Sequence, residues 1–289
     1  QDTPYNGILI FHGTGFGKTC SGISIVEGFK DILREMNKKA LVILGAKIRQ
    51  NFKKKIYDLE KEYYKKKPDD IVQCTGNTYT ITQSGLTYKQ KLRKVNNEIN
   101  SNYEFFGPEQ LSNYVKKKIT NWDGNPKHLT PQNIRAIQKE FSNRIIIIDE
   151  VHNIKTVEAE RSSDIFKKKS PTIIETIARY AQNIRLILMS ATPMFDRPRE
   201  IIYILNLLLL NDNKKPLKES DIFDKNDNLK PDGIIKLQKA SQAGIKIDKN
   251  SLTGILKKSS QNFICCRSTA AAKPLSLIFF TIDFGFMPS

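Results

Sequence analysis

Short, continuously apolar runs punctuate an otherwise polar, lysine-rich chain. Residues 7–11 (Gly-Ile-Leu-Ile-Phe) lead directly into a glycine-rich turn, and residues 40–44 (Ala-Leu-Val-Ile-Leu) form a second run. Residues 144–149 carry four isoleucines that end in a carboxylate, and residues 186–189 (Leu-Ile-Leu-Met) end in Ser190-Ala191-Thr192-Pro193. Runs this short, without two-residue alternation, predict strands buried on both faces. Between them the spacing turns helical: Ile23, Val26, Phe29 and Leu33 recur at the interval of one helix face. Further helices are predicted over 49–67, 90–99, 109–118 and 172–182, with a short strand near Gln73. The apolar stretch 201–210, interrupted by Asn206, reads as a buried helix, because it is far shorter than the roughly 18 residues that span a bilayer. Strands alternating with helices imply an α/β fold whose mainly parallel sheet has helices on both faces. In such sheets the chemistry gathers at the carboxyl ends of the strands.

The pattern also divides the chain. One domain is expected over residues 1–210, with a basic, poorly periodic insertion over about 75–140. Residues 211–250 turn polar and read as a linker or insertion, and 251–289 form no convincing element, although they fit the start of a second domain. There is no internal repeat.

Composition narrows the class. With 39% hydrophobic and 9% aromatic residues the chain can bury a core. Its 47 Lys plus Arg against 30 Asp plus Glu leave a net charge of +17. That surplus points to a polyanion, most simply nucleic acid; an AT-rich genome, which favours Lys, Asn and Ile codons, accounts for it equally well. The short lysine runs at 53–55, 65–67, 116–118 and 167–169 read as solvated faces. The cysteines (Cys20, Cys74, Cys265, Cys266) show no metal-ligand spacing and no disulfide framework. With no signal-peptide pattern at the amino terminus, the expectation is a cytoplasmic protein that does not engage membranes.

Three polar signatures follow the apolar runs. The first is His12-Gly13-Thr14-Gly15-Phe16-Gly17-Lys18-Thr19, between a strand and a helix. Its glycines let several amides turn inward and, with the helix terminus, cradle phosphates. Lys18 is placed to reach the β- and γ-phosphates, and the Thr19 hydroxyl to ligate Mg²⁺. The stricter form of this loop has glycine where His12 stands. The second is Asp149-Glu150-Val151-His152. Asp149 suits Mg²⁺, Glu150 suits orientation and deprotonation of the attacking water, and His152 suits a link from the nucleotide to nearby polar groups. The third, Ser190-Ala191-Thr192, is common alone and gains meaning from its order behind the other two.

Together these signatures resemble motifs I, II and III of the superfamily-two DExH helicases and NTPases. Their wording is similar to the NTPases of large cytoplasmic DNA viruses, a branch that includes poxvirus nucleoside triphosphatase I and the small subunit of the viral early transcription factor. Residues 74–79 and Tyr103-Glu104-Phe105-Phe106 also resemble segments of that branch. The resemblance covers roughly residues 5–210 and implies the first, ATP-binding RecA-like domain of a nucleic-acid-dependent NTPase, with ATP or another NTP and Mg²⁺ as cofactors. It implies DNA or RNA as track, viral RNA polymerase or transcription-factor subunits as partners, and the host cytoplasm or virion as location. Residues 40–51 correspond to motif Ia, which makes Lys47, Arg49 and Asn51 the candidate backbone contacts, although Gly45-Ala46 replaces the usual Pro or Ser. Motifs IV–VI, with their arginine finger, are not found after residue 210. The expectations are therefore a second RecA-like domain missing or only begun, binding of NTP·Mg²⁺, and slow hydrolysis by the isolated chain. The rival reading is a catalytically incomplete, NTP-binding regulatory subunit of a viral transcription complex.

Overall fold

The computed structural model describes residues 6–11, 17–64, 73–76, 78–80, 85–155, 169–193 and 197–240. Five strands, β1 (Gly7–Phe11), β2 (Ala40–Ile43), β3 (Tyr103–Phe106), β4 (Ile145–Asp149) and β5 (Arg185–Ser190), form one sheet in the order β1-β5-β4-β2-β3. Every pairing is parallel. Register places Asp149 beside Met189 and Phe11 beside Ser190, so the strands end together along one rim.

The faces are separated residue by residue. Leu9, Leu41, Ile43, Ile146, Ile148, Leu186 and Leu188 join one buried cluster, and Ile10, Ala40, Val42, Ile145, Ile147, Ile187 and Met189 join another. The first face is covered by α6 (Pro108–Lys118), α7 (Pro131–Phe141), α8 (Ser170–Tyr180) and α9 (Glu200–Asn211). The second is covered by α1 (Lys18–Gly28), α2 (Lys30–Glu35), α3 (Arg49–Ile56) and α5 (Tyr88–Asn102). This is the expected α/β, RecA-like domain. Helix α1 sits close to the sheet at Gly22, where a Cβ would lie 2.8 Å from Met189 Sδ. Among the described residues no helix is long and apolar enough to cross a membrane.

The abundant asparagines have a local use. Asn37, Asn121, Asn143, Asn183 and Asn213 all take positive φ, which asparagine tolerates better than other residues with a Cβ. After α2 and α9 this lets Lys38 N–H reach Leu33 O (2.8 Å) and Lys214 N–H reach Leu209 O (2.7 Å), satisfying carbonyls the helix end leaves open.

Several expectations are corrected. No strand forms at Gln73; residues 73–76 make a turn, and the missing strand is β3, at the sheet edge. The helix expected over 49–67 breaks at the extended Tyr57 (φ −153°). A new helix, α4 (Leu59–Tyr64), starts there because Asp58 Oδ1 accepts the Glu60 and Lys61 N–H groups. The stretch read as a basic insertion supplies β3, α5, α6 and α7, so most of it belongs to the sheet and its cover. The polar stretch after residue 210 contains α10 (Glu219–Ile222) and α11 (Pro231–Ala240), and Ile222, Phe223 and Leu237 pack on Ile202 of α9. Residues 251–289, with the proposed start of a second domain and the Cys265-Cys266 pair, lie outside the described residues.

The cysteines also depart from expectation. Cys20 on α1 is disulfide-bonded to Cys74, with Cα atoms 5.1 Å apart. The partners are 54 residues apart, and only docking of the 73–76 turn onto α3 brings them together: Cys74 N–H donates to Lys55 O (3.0 Å) and Thr75 Oγ1 to Ile56 O (2.6 Å). A bond closing a loop of that length stabilises by about 2–4 kcal/mol. Cys74→Ser should therefore lower the urea midpoint by the equivalent of that amount in oxidising buffer and leave it unchanged under reductant. An equal loss in both buffers would assign the effect to packing rather than to the bond.

Candidate nucleotide site

Three elements deliver the polar residues to the rim. Gly17 adopts φ 80° immediately before α1, a backbone angle that strains any residue with a Cβ, and its turn points Lys18 and Thr19 inward. Both are only 8% exposed. The residues Gly13, Thr14, Gly15 and Phe16, expected to cradle phosphate, lie outside the described residues, as does His12.

At the end of β4, Glu150 takes φ 49°, a left-handed conformation that costs a non-glycine residue about 1–3 kcal/mol and clusters at functional sites. It turns the Glu150 side chain back towards α1, where Lys18 Nζ donates to Glu150 Oε1 at 2.6 Å. The Glu150 N–H donates to Asp149 Oδ1 (3.1 Å). Burial, followed by the neighbouring Glu150 charge, pushes the Asp149 carboxyl above its ordinary range, with Lys18 opposing.

The third element closes a network. Ser190, fully buried at the end of β5, shares a 2.9 Å hydrogen bond with His152 Nδ1 and accepts the Thr192 N–H at 3.0 Å. His152 Nδ1 also lies 3.4 Å from Glu150 Oε2, which accepts the Ala191 N–H at the same distance. Burial holds the His152 imidazole below its usual range, with Glu150 opposing and Lys18 pushing the same way. The structure thus brings Lys18, Glu150, His152, Ser190 and Thr192 into one connected cluster.

The motif Ia candidates stand apart from it. Lys47 and Asn51 are exposed, and Arg49 Nη2 is engaged by Gln110 Oε1 on α6. One residue at the site was missed by sequence reading. Lys55, from a run taken as a solvated face, donates from Nζ to Thr19 Oγ1 at 3.2 Å. It lies 36 positions from Thr19 and in no motif, so no sequence signal identifies it.

The donor set fits Mg²⁺ and a triphosphate: a buried lysine, a hydroxyl beside it, and a carboxylate whose ionised form lacks sufficient compensation. Among the described residues no group of three or more His, Cys, Asp or Glu could hold a metal.

A parallel α/β sheet with these three clusters on its carboxyl rim defines a helicase-like NTPase domain of superfamily two. The chain belongs to the family described as type III restriction enzyme, res subunit, which matches residues 2–195. It is 28% identical over 211 residues to a candidate ATP-dependent RNA helicase of Acanthamoeba polyphaga mimivirus, covering 72% of this chain and 30% of that protein. A second such helicase of the same virus is 29% identical over 230 residues, covering 72% and 18%. A candidate helicase of Frog virus 3 (isolate Goorha) is 25% identical over 240 residues, covering 81% and 21%. The chain therefore spans less than a third of the length of these curated relatives.

The raised Asp149 carboxyl has a consequence for stability. A carboxyl raised in the fold stabilises below the ordinary carboxylate range, and that contribution is lost as pH rises through the raised value. At neutral pH the ionised Asp149 is thus a cost. Asp149→Asn, which keeps the acceptor for Glu150 N–H, should raise the melting temperature at pH 7 in metal-free buffer, with the gain shrinking towards pH 4. A fall at pH 7 would mean that the carboxylate's attraction to Lys18 outweighs its burial.

Proposed function

We propose that this chain is the ATP-binding half of a nucleic-acid-stimulated NTPase that drives translocation or strand separation in the gene expression of a large DNA virus. The observation carrying this reading is the 2.6 Å contact of Lys18 with a Glu150 held in a strained conformation beside a half-buried Asp149. Residues with a Cβ in that backbone region cluster at functional sites, and here the turn sets Asp149 and Glu150 to different partners.

In this reading Gly13, Thr14, Gly15, Phe16 and Gly17 wrap the phosphates with backbone amides, and Lys18 moves from Glu150 to the β/γ oxygens. Thr19 and Asp149 hold Mg²⁺, which when bound neutralises charge on the phosphates. Release of Lys18 frees Glu150 to accept a hydrogen bond from water and take its proton as the water oxygen bonds the γ-phosphorus and the bond to the β–γ bridging oxygen breaks, releasing nucleoside diphosphate and phosphate. His152, Ser190 and Thr192 transmit the state of Glu150 to the end of β5, because a shift of that carboxylate disturbs the Ala191 N–H and the His152–Ser190 pair together. Lys47, Arg49 and Asn51 are assigned to the nucleic-acid backbone, where contact fixes position without reading sequence. For Arg49 this requires exchanging Gln110 for a phosphate.

Two relatives named as RNA helicases and a third named as a helicase, all viral, support nucleic acid as track and a viral setting. Viral transcription complexes are the proposed partners, and the cytoplasm or virion the proposed location. The experiment is NTP hydrolysis by the purified chain with and without single-stranded RNA or DNA, beside Glu150→Gln. Expected are nucleotide binding, slow Mg²⁺-dependent turnover that one of the two strands stimulates, and a further loss of about a hundredfold or more in the variant, with nucleotide still bound. Turnover indifferent to both strands would reject the motor reading, and absence of nucleotide binding would reject the site.

A further inference from the structure

Among the described residues, Lys55 is a basic side chain at the rim that the proposed mechanism leaves without a task. Its neighbours in the run are committed elsewhere: Lys53 Nζ donates to Asn100 Oδ1 (3.0 Å) and stands 4.9 Å from the centre of the Phe105 ring, and Lys54 Nζ lies 3.7 Å from Glu60 Oε2. Lys55 alone turns to α1 and donates to Thr19 Oγ1 at 3.2 Å.

The segments carrying the two residues are fastened to each other. The Lys55 carbonyl accepts Cys74 N–H at 3.0 Å, the next carbonyl accepts Thr75 Oγ1, and Cys74 is disulfide-bonded to Cys20, the residue after Thr19. Ile56, the next residue of α3, is fully buried. The Lys55 backbone therefore has little freedom relative to Thr19, and only its side chain can swing. Its charge also bears on Asp149, favouring the ionised carboxylate.

We propose that Lys55 is a second cation of the phosphate end of the nucleotide site, which adds attraction for a triphosphate and competes with Mg²⁺ for the Thr19 hydroxyl. This rests on the reading of Lys18 and Thr19 as a nucleotide site. The chemistry follows from charge and valence. An ammonium this close to Thr19 strengthens the local positive potential that draws polyphosphate. The same ammonium uses an oxygen lone pair that a divalent ion needs and repels that ion, so metal-free and metal-bound nucleotide are affected in opposite directions. Lys55 is thus a positioning residue that sets the order in which the site fills, phosphate before metal.

The test measures binding of a fluorescent ATP analogue to the purified 289-residue chain, first in EDTA and then across a Mg²⁺ titration. Lys55→Met should weaken binding in EDTA by about fivefold, the size of one charge-assisted contact at a partly exposed site. It should also lower the Mg²⁺ concentration giving half-maximal enhancement by a comparable factor. Lys55→Arg, which keeps the charge, should restore most of the affinity in EDTA. Lys54→Met, a neighbouring charge removed away from Thr19, should change neither constant. Both constants unchanged in Lys55→Met would overturn the proposal. Both weakened together, with a lower melting temperature, would also overturn it, because Lys55 would then only support the fold. Failure of the unaltered chain to bind the analogue in either buffer would instead bring down the nucleotide site itself.

Discussion

The structure depends on the double burial of β4. Ile146 and Ile148 enter one core while Ile145 and Ile147 enter the other, so the strand has no solvated face and must lie inside the sheet. The next residue along is Asp149, at the point where both cores end. A carboxylate there is partly desolvated by the same isoleucines that fix the strand. The position cannot be made comfortable for a charge without loosening the centre of the sheet. Lys18, carried to the rim by α1, offsets part of the cost, and a divalent ion is the natural counter-charge for the remainder.

Glu150 turns that local imbalance into a connection. Its left-handed backbone is held from three sides: by Lys18 of α1, by the Ala191 N–H after β5, and by the 3.4 Å approach of His152 Nδ1. The first two of these partners come from segments 132 and 41 residues away, aligned by the β4–β5 register that sets Asp149 beside Met189. Because parallel strands share a common end, residues far apart in sequence become hydrogen-bonding neighbours. Any change in the charge around Glu150 reaches all of these segments through one carboxylate.

The sheet interior and the polar rim were legible in the sequence for the same reason. Doubly buried strands need unbroken apolar runs, so β1, β2, β4 and β5 stand out, and the residue ending each run is the rim residue. What escaped reading lies at the margins, where burial is one-sided. In β3, Tyr103 is buried but Glu104 is charged and pairs with Arg144 (2.8 Å), so an edge strand carries no apolar signature. The break at Tyr57 and the turn at 73–76 are set by side-chain contacts of Asp58 and Thr75 with the backbone, which leave no periodic trace. The Cys20–Cys74 bond and the Lys55–Thr19 contact arise from docking of that turn on α3 and of α3 beside α1. Pairings of this kind are tertiary by nature.

The charge surplus takes on a different meaning once its partners are visible. Lysines read as solvated are in several cases satisfied within the fold: Lys53 by Asn100, Lys118 by Glu140 at 3.8 Å and the Tyr114 ring, Lys169 by Asp123. Contacts of this exposed sort are each worth about 0–1 kcal/mol. A polyanion releasing its counterions can therefore exchange them at small cost. A basic surface with inexpensive internal partners stays ordered without a strand and yields readily to one. If nucleic acid is the track, as proposed, grip on it would be a matter of many weak exchanges, whereas the half-buried cluster at Glu150 is tightly interconnected. In the proposed function these two regimes of electrostatics would divide the work between holding a track and responding to a nucleotide.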